Sequence, residues 1–199
     1  MSRNVVTLLL GALCLSSSCL PADGSRLLNV PPLTFDGVDG RSHTLTDYVG
    51  RERFVLLAFF ASWSRSSLAA LEQLERLRQT YRKDVAVLAI AIDSAETVAG
   101  LPSYLASAKL SFPVVLDRES RAVALYNARR SVPMVHIFDR HGRIIHSQEV
   151  RSRAQRFRLG QILAEAVGRV DQVDQVDQVD QGDRAKRAPS TQPTKTKPR

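Results

Sequence analysis

The chain has 199 residues, of which 44% are hydrophobic, enough for one domain of ordinary size with its own core plus extensions. Two cysteines exclude a small scaffold stapled by disulfides. A formal charge of +8 invites an anionic partner such as lipid headgroups or an acidic protein. No nucleic-acid recognition motif accompanies it, and Arg140, Arg143, Arg151, Arg153, Arg156 and Arg158 read as a solvated basic face.

Met1-Ser2-Arg3-Asn4, an apolar run over residues 5–15 and then Ser16-Ser17-Ser18-Cys19 follow the charged, apolar and small-residue order of a secretory signal. The apolar run is too short to span a bilayer. Leu15-Ser16-Ser17-Ser18-Cys19 also resembles a bacterial lipobox, with Ser16 where that pattern prefers leucine. This predicts a signal peptide over residues 1–18 and an acyl chain on Cys19 as a membrane anchor. The mature chain is then expected in the bacterial periplasm or cell envelope. Ordinary secretion with a free Cys19 is the alternative. Cys14 leaves with the signal, so the mature chain retains no pair of thiols. Residues 19–31, with Pro21, Asp23 and Gly24, read as a tether, and Pro31-Pro32 opens a domain expected over residues 32–168.

Leu33-Thr34-Phe35 and His43-Thr44-Leu45 flank Asp36-Gly37-Val38-Asp39-Gly40, a strand, an Asp-Gly turn and a second strand. His43 is expected to be an ordinary hairpin residue. Residues 54–60 form an unbroken apolar run, the mark of a central strand buried on both faces. It breaks at Ala61-Ser62-Trp63. A helix is then predicted over residues 64–81, with Leu68, Leu71, Leu74, Leu77 and Tyr81 as its buried stripe and Glu72–Arg76 as an exposed i,i+4 ion pair. Ser64 stands at the N-cap, where its hydroxyl is expected to accept a backbone N–H at a gain of about 1 kcal/mol.

Residues 85–92 form the next strand, so that strand, helix and strand make one right-handed crossover. Residues 93–110 read as a helical insertion interrupted by Pro102, followed by a strand in residues 112–117 and a short helix in residues 121–126. Two strands then flank the turn Asp139-Arg140-His141-Gly142. Met134 and His136 are expected to fill the sheet surface. No ligand is spaced to join them around a metal. An amphipathic helix over residues 156–168 closes the domain. Residues 169–199 are expected to be a low-complexity, disordered tail. Its repeats of Val-Asp-Gln from Val170 to Gln181 have a period of three, which drifts about 60° per repeat around a helix and sustains no apolar face.

Phe59-Phe60-Ala61-Ser62-Trp63 resembles the segment Phe-Trp-Ala-x-Trp-Cys-x-x-Cys of the TlpA/ResA-like thiol–disulfide oxidoreductases, redoxins of the AhpC/TSA type. Thr46-Asp47-Tyr48-Val49-Gly50-Arg51, Phe112-Pro113-Val114-Val115-Leu116-Asp117 and Val132-Pro133 with Ile137-Phe138-Asp139 match further family segments in order. The resemblance implies an α/β, thioredoxin-like fold: a mixed central sheet flanked by helices, with an N-terminal hairpin and a helical insertion. It also implies that Pro133 is cis and packs beside the corner, where the residue before it offers backbone hydrogen bonds to an extended peptide. The groove would then comprise Trp63, Ser64, Arg65, Val132 and Pro133. No cofactor is implied.

At both cysteine positions of the family motif this chain has serine, Ser64 and Ser67. A helix N-terminus lowers a thiol pKa from about 8.5 to as little as roughly 3.5 and so creates a thiolate nucleophile. A serine hydroxyl stays protonated without a positioned base, and His43, His136, His141 and His146 show no triad spacing. A peroxiredoxin cysteine in a Pro-x-x-x-Thr-x-x-Cys context is also absent. The sequence therefore suggests an exported, TlpA-like protein that has lost thiol–disulfide exchange and acts by binding a peptide or an envelope protein. The alternative is an oxidoreductase that borrows Cys19 or a partner's thiol.

Overall fold

The computed structural model describes the backbone of residues 29–187 and the side chains of residues 29–172. Both cysteines, the signal and lipid-anchor region, most of the tether and residues 188–199 lie outside the described residues. Seven strands form one mixed sheet: β1 (Thr34–Gly37), β2 (Ser42–Thr44), β3 (Phe54–Phe60), β4 (Val85–Ala91), β5 (Val114–Leu116), β6 (Met134–Asp139) and β7 (Ile144–Glu149). Their order is β2-β1-β5-β4-β3-β6-β7. β3 runs parallel to β4, and β4 to β5, whereas β6 is antiparallel to β3.

Every residue of β3 is buried, because the strand alternates between two apolar layers. Phe54, Leu56, Ala58 and Phe60 face a layer that includes Leu71, Leu74, Leu101, Leu159 and Leu163. Val55, Leu57 and Phe59 face another that includes Val30, Leu33, Leu45, Ala122 and Val123. Helices α1 (Arg65–Thr80), α2 (Leu101–Ala108) and α4 (Arg153–Arg187) supply the first layer, and α3 (Arg121–Tyr126) the second. Each fully buried leucine contributes about 1.5–3 kcal/mol relative to exposure.

Several local expectations need correction. Pro102 does not interrupt its helix but stands in the first turn of α2, where a missing N–H costs nothing. Arg76 donates to Gln73 Oε1 at 2.9 Å and not to Glu72. The closing helix begins at Arg153, three residues early. Gln155 N–H donates to Ser152 Oγ at 3.2 Å, and Gln155 Oε1 accepts the Ser152 N–H at 2.9 Å, a reciprocal capping box.

That helix also does not stop at Gly168: it runs through the Val-Asp-Gln repeats to Arg187. Val170 packs on the core and Asp171 pairs with Arg53, so the first repeat is held by tertiary contacts. The repeats contain no proline or glycine, and extending an existing helix needs no new nucleus.

Candidate functional site

Backbone geometry makes the corner. Ser64 N–H donates to Ala61 O at 3.1 Å and Ser67 N–H to Ser64 O at 3.0 Å, turning the chain out of β3 and into α1. Ser64 has the extended N-cap conformation, but its hydroxyl caps nothing. Its Oγ lies 3.2 Å from Ser66 Oγ, because this neighbouring hydroxyl offers a partner in competition with the helix backbone. Ser67 is fully buried, and its Oγ accepts the Ala61 N–H at 3.4 Å. The first of the two serines is thus half-open to solvent and the second sealed beneath it.

Trp63, the chain's one tryptophan, is 60% exposed at the tip of the corner, and Arg65 is exposed beside it. The Val132–Pro133 bond is cis. In the β3–β6 register Phe59 stands opposite Met134, so Pro133 lies next to the end of β3 and the corner it feeds. The loop before it is clamped by Asn127, which is buried: Ser131 N–H donates to Asn127 Oδ1 at 3.0 Å and Asn127 Nδ2 to Ser131 O at 2.9 Å. The Pro133 carbonyl accepts the Val150 N–H at 3.0 Å. Among the described residues, neither the N–H nor the carbonyl of Val132 has an intramolecular hydrogen bond. Val132 itself is buried, with 7% of its surface exposed.

The histidines are engaged elsewhere. His43 is a hairpin residue, as expected, and lies between Tyr48 OH, at 2.6 Å, and Asp39, at 3.2 Å. His146 bonds Gln148. His136 is buried against Phe59 and Tyr126, with Nδ1 2.7 Å from Ser147 Oγ and Nε2 unpartnered. Burial pushes its pKa down, and the Tyr126 backbone opposes this more weakly. Among the described residues no histidine is hydrogen-bonded to Ser64 or Ser67, the contact that would activate a hydroxyl.

Sequence reasoning missed three supports of the site. Asp93, two residues past β4, accepts the Ser62 N–H and hydroxyl. Asn127 orients the cis-proline loop. Tyr104 of α2 stacks on Phe60 with ring centroids 6.1 Å apart, just behind the corner. Burial, helped by the charges of Asp93 and Glu72, pushes its hydroxyl up to about 12. None carries a local motif. Only the polar residue ending the apolar run at Asp93 gives a hint.

The family comparison decides the kinship: the AhpC/TSA family model matches residues 28–147. The chain belongs to the AhpC/TSA family. It is 25% identical to the thiol-disulfide oxidoreductase ResA of Geobacillus thermodenitrificans over 114 residues, covering 57% of this chain and 63% of ResA. The match therefore spans just under two thirds of that relative's length. Solved structures share the thioredoxin-like fold of this AhpC/TSA chain. A thiol:disulfide interchange protein DsbE from Chlorobium tepidum superimposes with a TM-score of 0.62 at 22% identity, over 71% of this chain and 96% of that one. The exposed lipoprotein thioredoxin Etrx1 of Streptococcus pneumoniae gives 0.56 at 24% identity, over 67% and 98%. This AhpC/TSA member departs from the thiol–disulfide motif at Ser64 and Ser67.

Proposed function

We propose that this protein is an exported, redox-silent member of its family that holds extended polypeptide segments in the groove between Trp63-Ser64 and Val132-Pro133. The observation that carries this reading is the cis Val132–Pro133 bond next to the end of β3, with no internal backbone partner for Val132 among the described residues, and a corner where Trp63 is exposed and serine stands at both cysteine positions of the motif. An extended segment could add to Val132 by main-chain hydrogen bonds while Trp63 covers its side chains. Fold alone does not confer the family's reaction once the reacting atoms are gone.

The order of residues 1–19 supports export with a lipid on Cys19, as does the likeness to a protein described as an exposed lipoprotein thioredoxin. The Asn29 N–H donates to the His141 carbonyl, and His141 lies in the β6–β7 turn next to the start of β3. Asn29 thus lies at the end of β3 opposite the corner, β3 being a strand about 20 Å long.

The test sets binding against chemistry. The full chain is incubated with a cysteine-free unfolded protein, and separately with insulin and dithiothreitol. Complex formation with the first, and no insulin reduction above the reagent blank, is the expected result. Insulin reduction that disappears in Ser64→Ala would overturn the reading. A reducible mixed disulfide lost in Cys19→Ala would establish the borrowed-thiol alternative.

A further inference from the structure

Away from the corner, α1 and α4 leave a cleft of about 600 Å³ between them. Its floor is apolar: Leu77 and Tyr81 come from the end of α1, and Phe157, Gly160 and Ala164 from α4. Phe157 is 66% exposed, more than Trp63 at the corner. Glycine keeps the floor open at position 160. A Cβ there would stand 3.6 Å from Leu77 Cδ2 and 3.7 Å from Gln73 Nε2, so a longer side chain would grow into the cleft.

Three guanidinium groups line the same cleft, Arg76 from α1 and Arg153 and Arg156 from α4, and no carboxylate does. Arg76 donates to Gln73 Oε1 at 2.9 Å and Arg156 to the Arg151 carbonyl at 3.1 Å. Both acceptors are neutral, so each arginine keeps its full charge. Arg153 has no ion-pair partner among the described residues. The neighbouring carboxylates are directed elsewhere. Glu149 lies 3.2 Å from Arg151 and Glu165 3.4 Å from Arg169, Glu75 is buried against Ser111, and Glu72 does not line the cleft.

An apolar floor gains by being covered, and a cationic rim gains from an anion, so the occupant must carry both features in one molecule. From Arg153 to Ala164 the cleft follows about 16 Å of helix, room for a medium-length alkyl chain laid along it. We propose that this cleft binds one molecule of a single-chain anionic amphiphile of the fatty-acid type. The chain lies over Leu77, Tyr81 and Phe157, and the carboxylate meets the guanidinium groups, whose planar forks take it through paired hydrogen bonds. The site is separate from the corner and requires neither serine.

The test titrates the full chain calorimetrically with dodecanoate, octanoate and dodecyltrimethylammonium, each below its micellar concentration, at about 50 mM and about 300 mM salt. The expected result is one dodecanoate per chain, bound about tenfold tighter than dodecyltrimethylammonium at low salt, with the difference narrowing at high salt. Octanoate, with the same head and a shorter chain, should bind at least about tenfold more weakly. R153Q/R156Q should weaken dodecanoate several-fold and leave dodecyltrimethylammonium no weaker, and G160L should remove both by filling the floor. Equal affinity for the two dodecyl compounds, or dodecanoate binding unchanged in both variants, would overturn the proposal. So would pelleting of the chain with phosphatidylglycerol vesicles, or a dimer in sedimentation velocity broken by R153Q/R156Q, if monomeric dodecanoate does not bind. The comparison of heads and chain lengths on the unaltered chain decides the matter should either variant misfold.

Discussion

The Asp93 carboxylate accepts the Ser62 N–H at 3.1 Å and the Ser62 hydroxyl as well. These bonds tie the end of β4 to the corner that leaves β3, across 31 positions of sequence. Trp63 follows immediately, so the tie sets where the indole stands. Asp93→Ala is expected to lower stability by about 1–3 kcal/mol, the cost of leaving a part-buried N–H unpaired. It should also weaken peptide binding several-fold by loosening the corner. Urea denaturation gives the first quantity and calorimetric titration with a cysteine-free peptide the second.

The two serines occupy different environments although only three residues separate them. Ser64 is half-open and Ser67 is fully buried, on a backbone that already turns one toward the other. A Ser64→Cys/Ser67→Cys double variant, made with Cys14 and Cys19 changed to serine, is expected to form an intramolecular disulfide under mild oxidation. Titration of free thiols should fall from two per chain to none, and return to two with dithiothreitol. The single variants should keep their one thiol in monomer.

How much of this was legible depended on whether the cause was local. The unbroken run of β3 specified a strand buried on both faces, and Val132-Pro133 marked the cis bond through resemblance. The Ser152–Gln155 capping box was also legible, because serine followed three residues later by glutamine is a local signature, yet the apolar stripe drew the helix start to Arg156. Asp93 to Ser62 and Asn127 to Ser131 were not legible, since neither side chain announces its partner. The Ser64 hydroxyl misled because N-cap position and N-cap hydrogen bond are separate properties. The helix through the Val-Asp-Gln repeats was missed because amphipathic periodicity predicts packing, whereas continuation of a formed helix needs no new nucleus.

Burial lowers the pKa of His136, so the unfolded chain binds a proton there more readily than the folded one. The sign follows: stability is full above the unfolded value of about 6.5 and falls as pH drops toward the lower folded value. His136→Leu removes this proton uptake, and its partner Ser147 is exposed and can turn to water. The expected result is a flatter stability profile below about pH 6.5, with the variant gaining on the parent as pH falls. Urea midpoints at several pH values measure it.

Glu75 is buried within α1. Its carboxylate accepts the Ser111 N–H at 3.0 Å, the Ser111 hydroxyl, and Gln79 Nε2 at 2.8 Å. Burial alone would raise its pKa. The hydrogen bonds from Ser111 and Gln79, with the charge of Arg78, outweigh that and leave it below the ordinary glutamate value. Glu75→Ala is expected to destabilise by about 1–3 kcal/mol at neutral pH by orphaning Ser111. The difference should narrow as pH falls below about 4.3, because protonation then removes the same stabilisation from the parent. Thermal unfolding at pH 7 and pH 3 checks both parts.

The single tryptophan provides the most direct measurement. Trp63 emission is followed as the full chain, its thiols alkylated, is titrated with a cysteine-free extended peptide. A saturable blue shift identical to that of the unalkylated chain is the result this account predicts, since binding needs the Val132 backbone and the indole and no sulfur. Emission unchanged at every peptide concentration, or a shift abolished by alkylation, would contradict it.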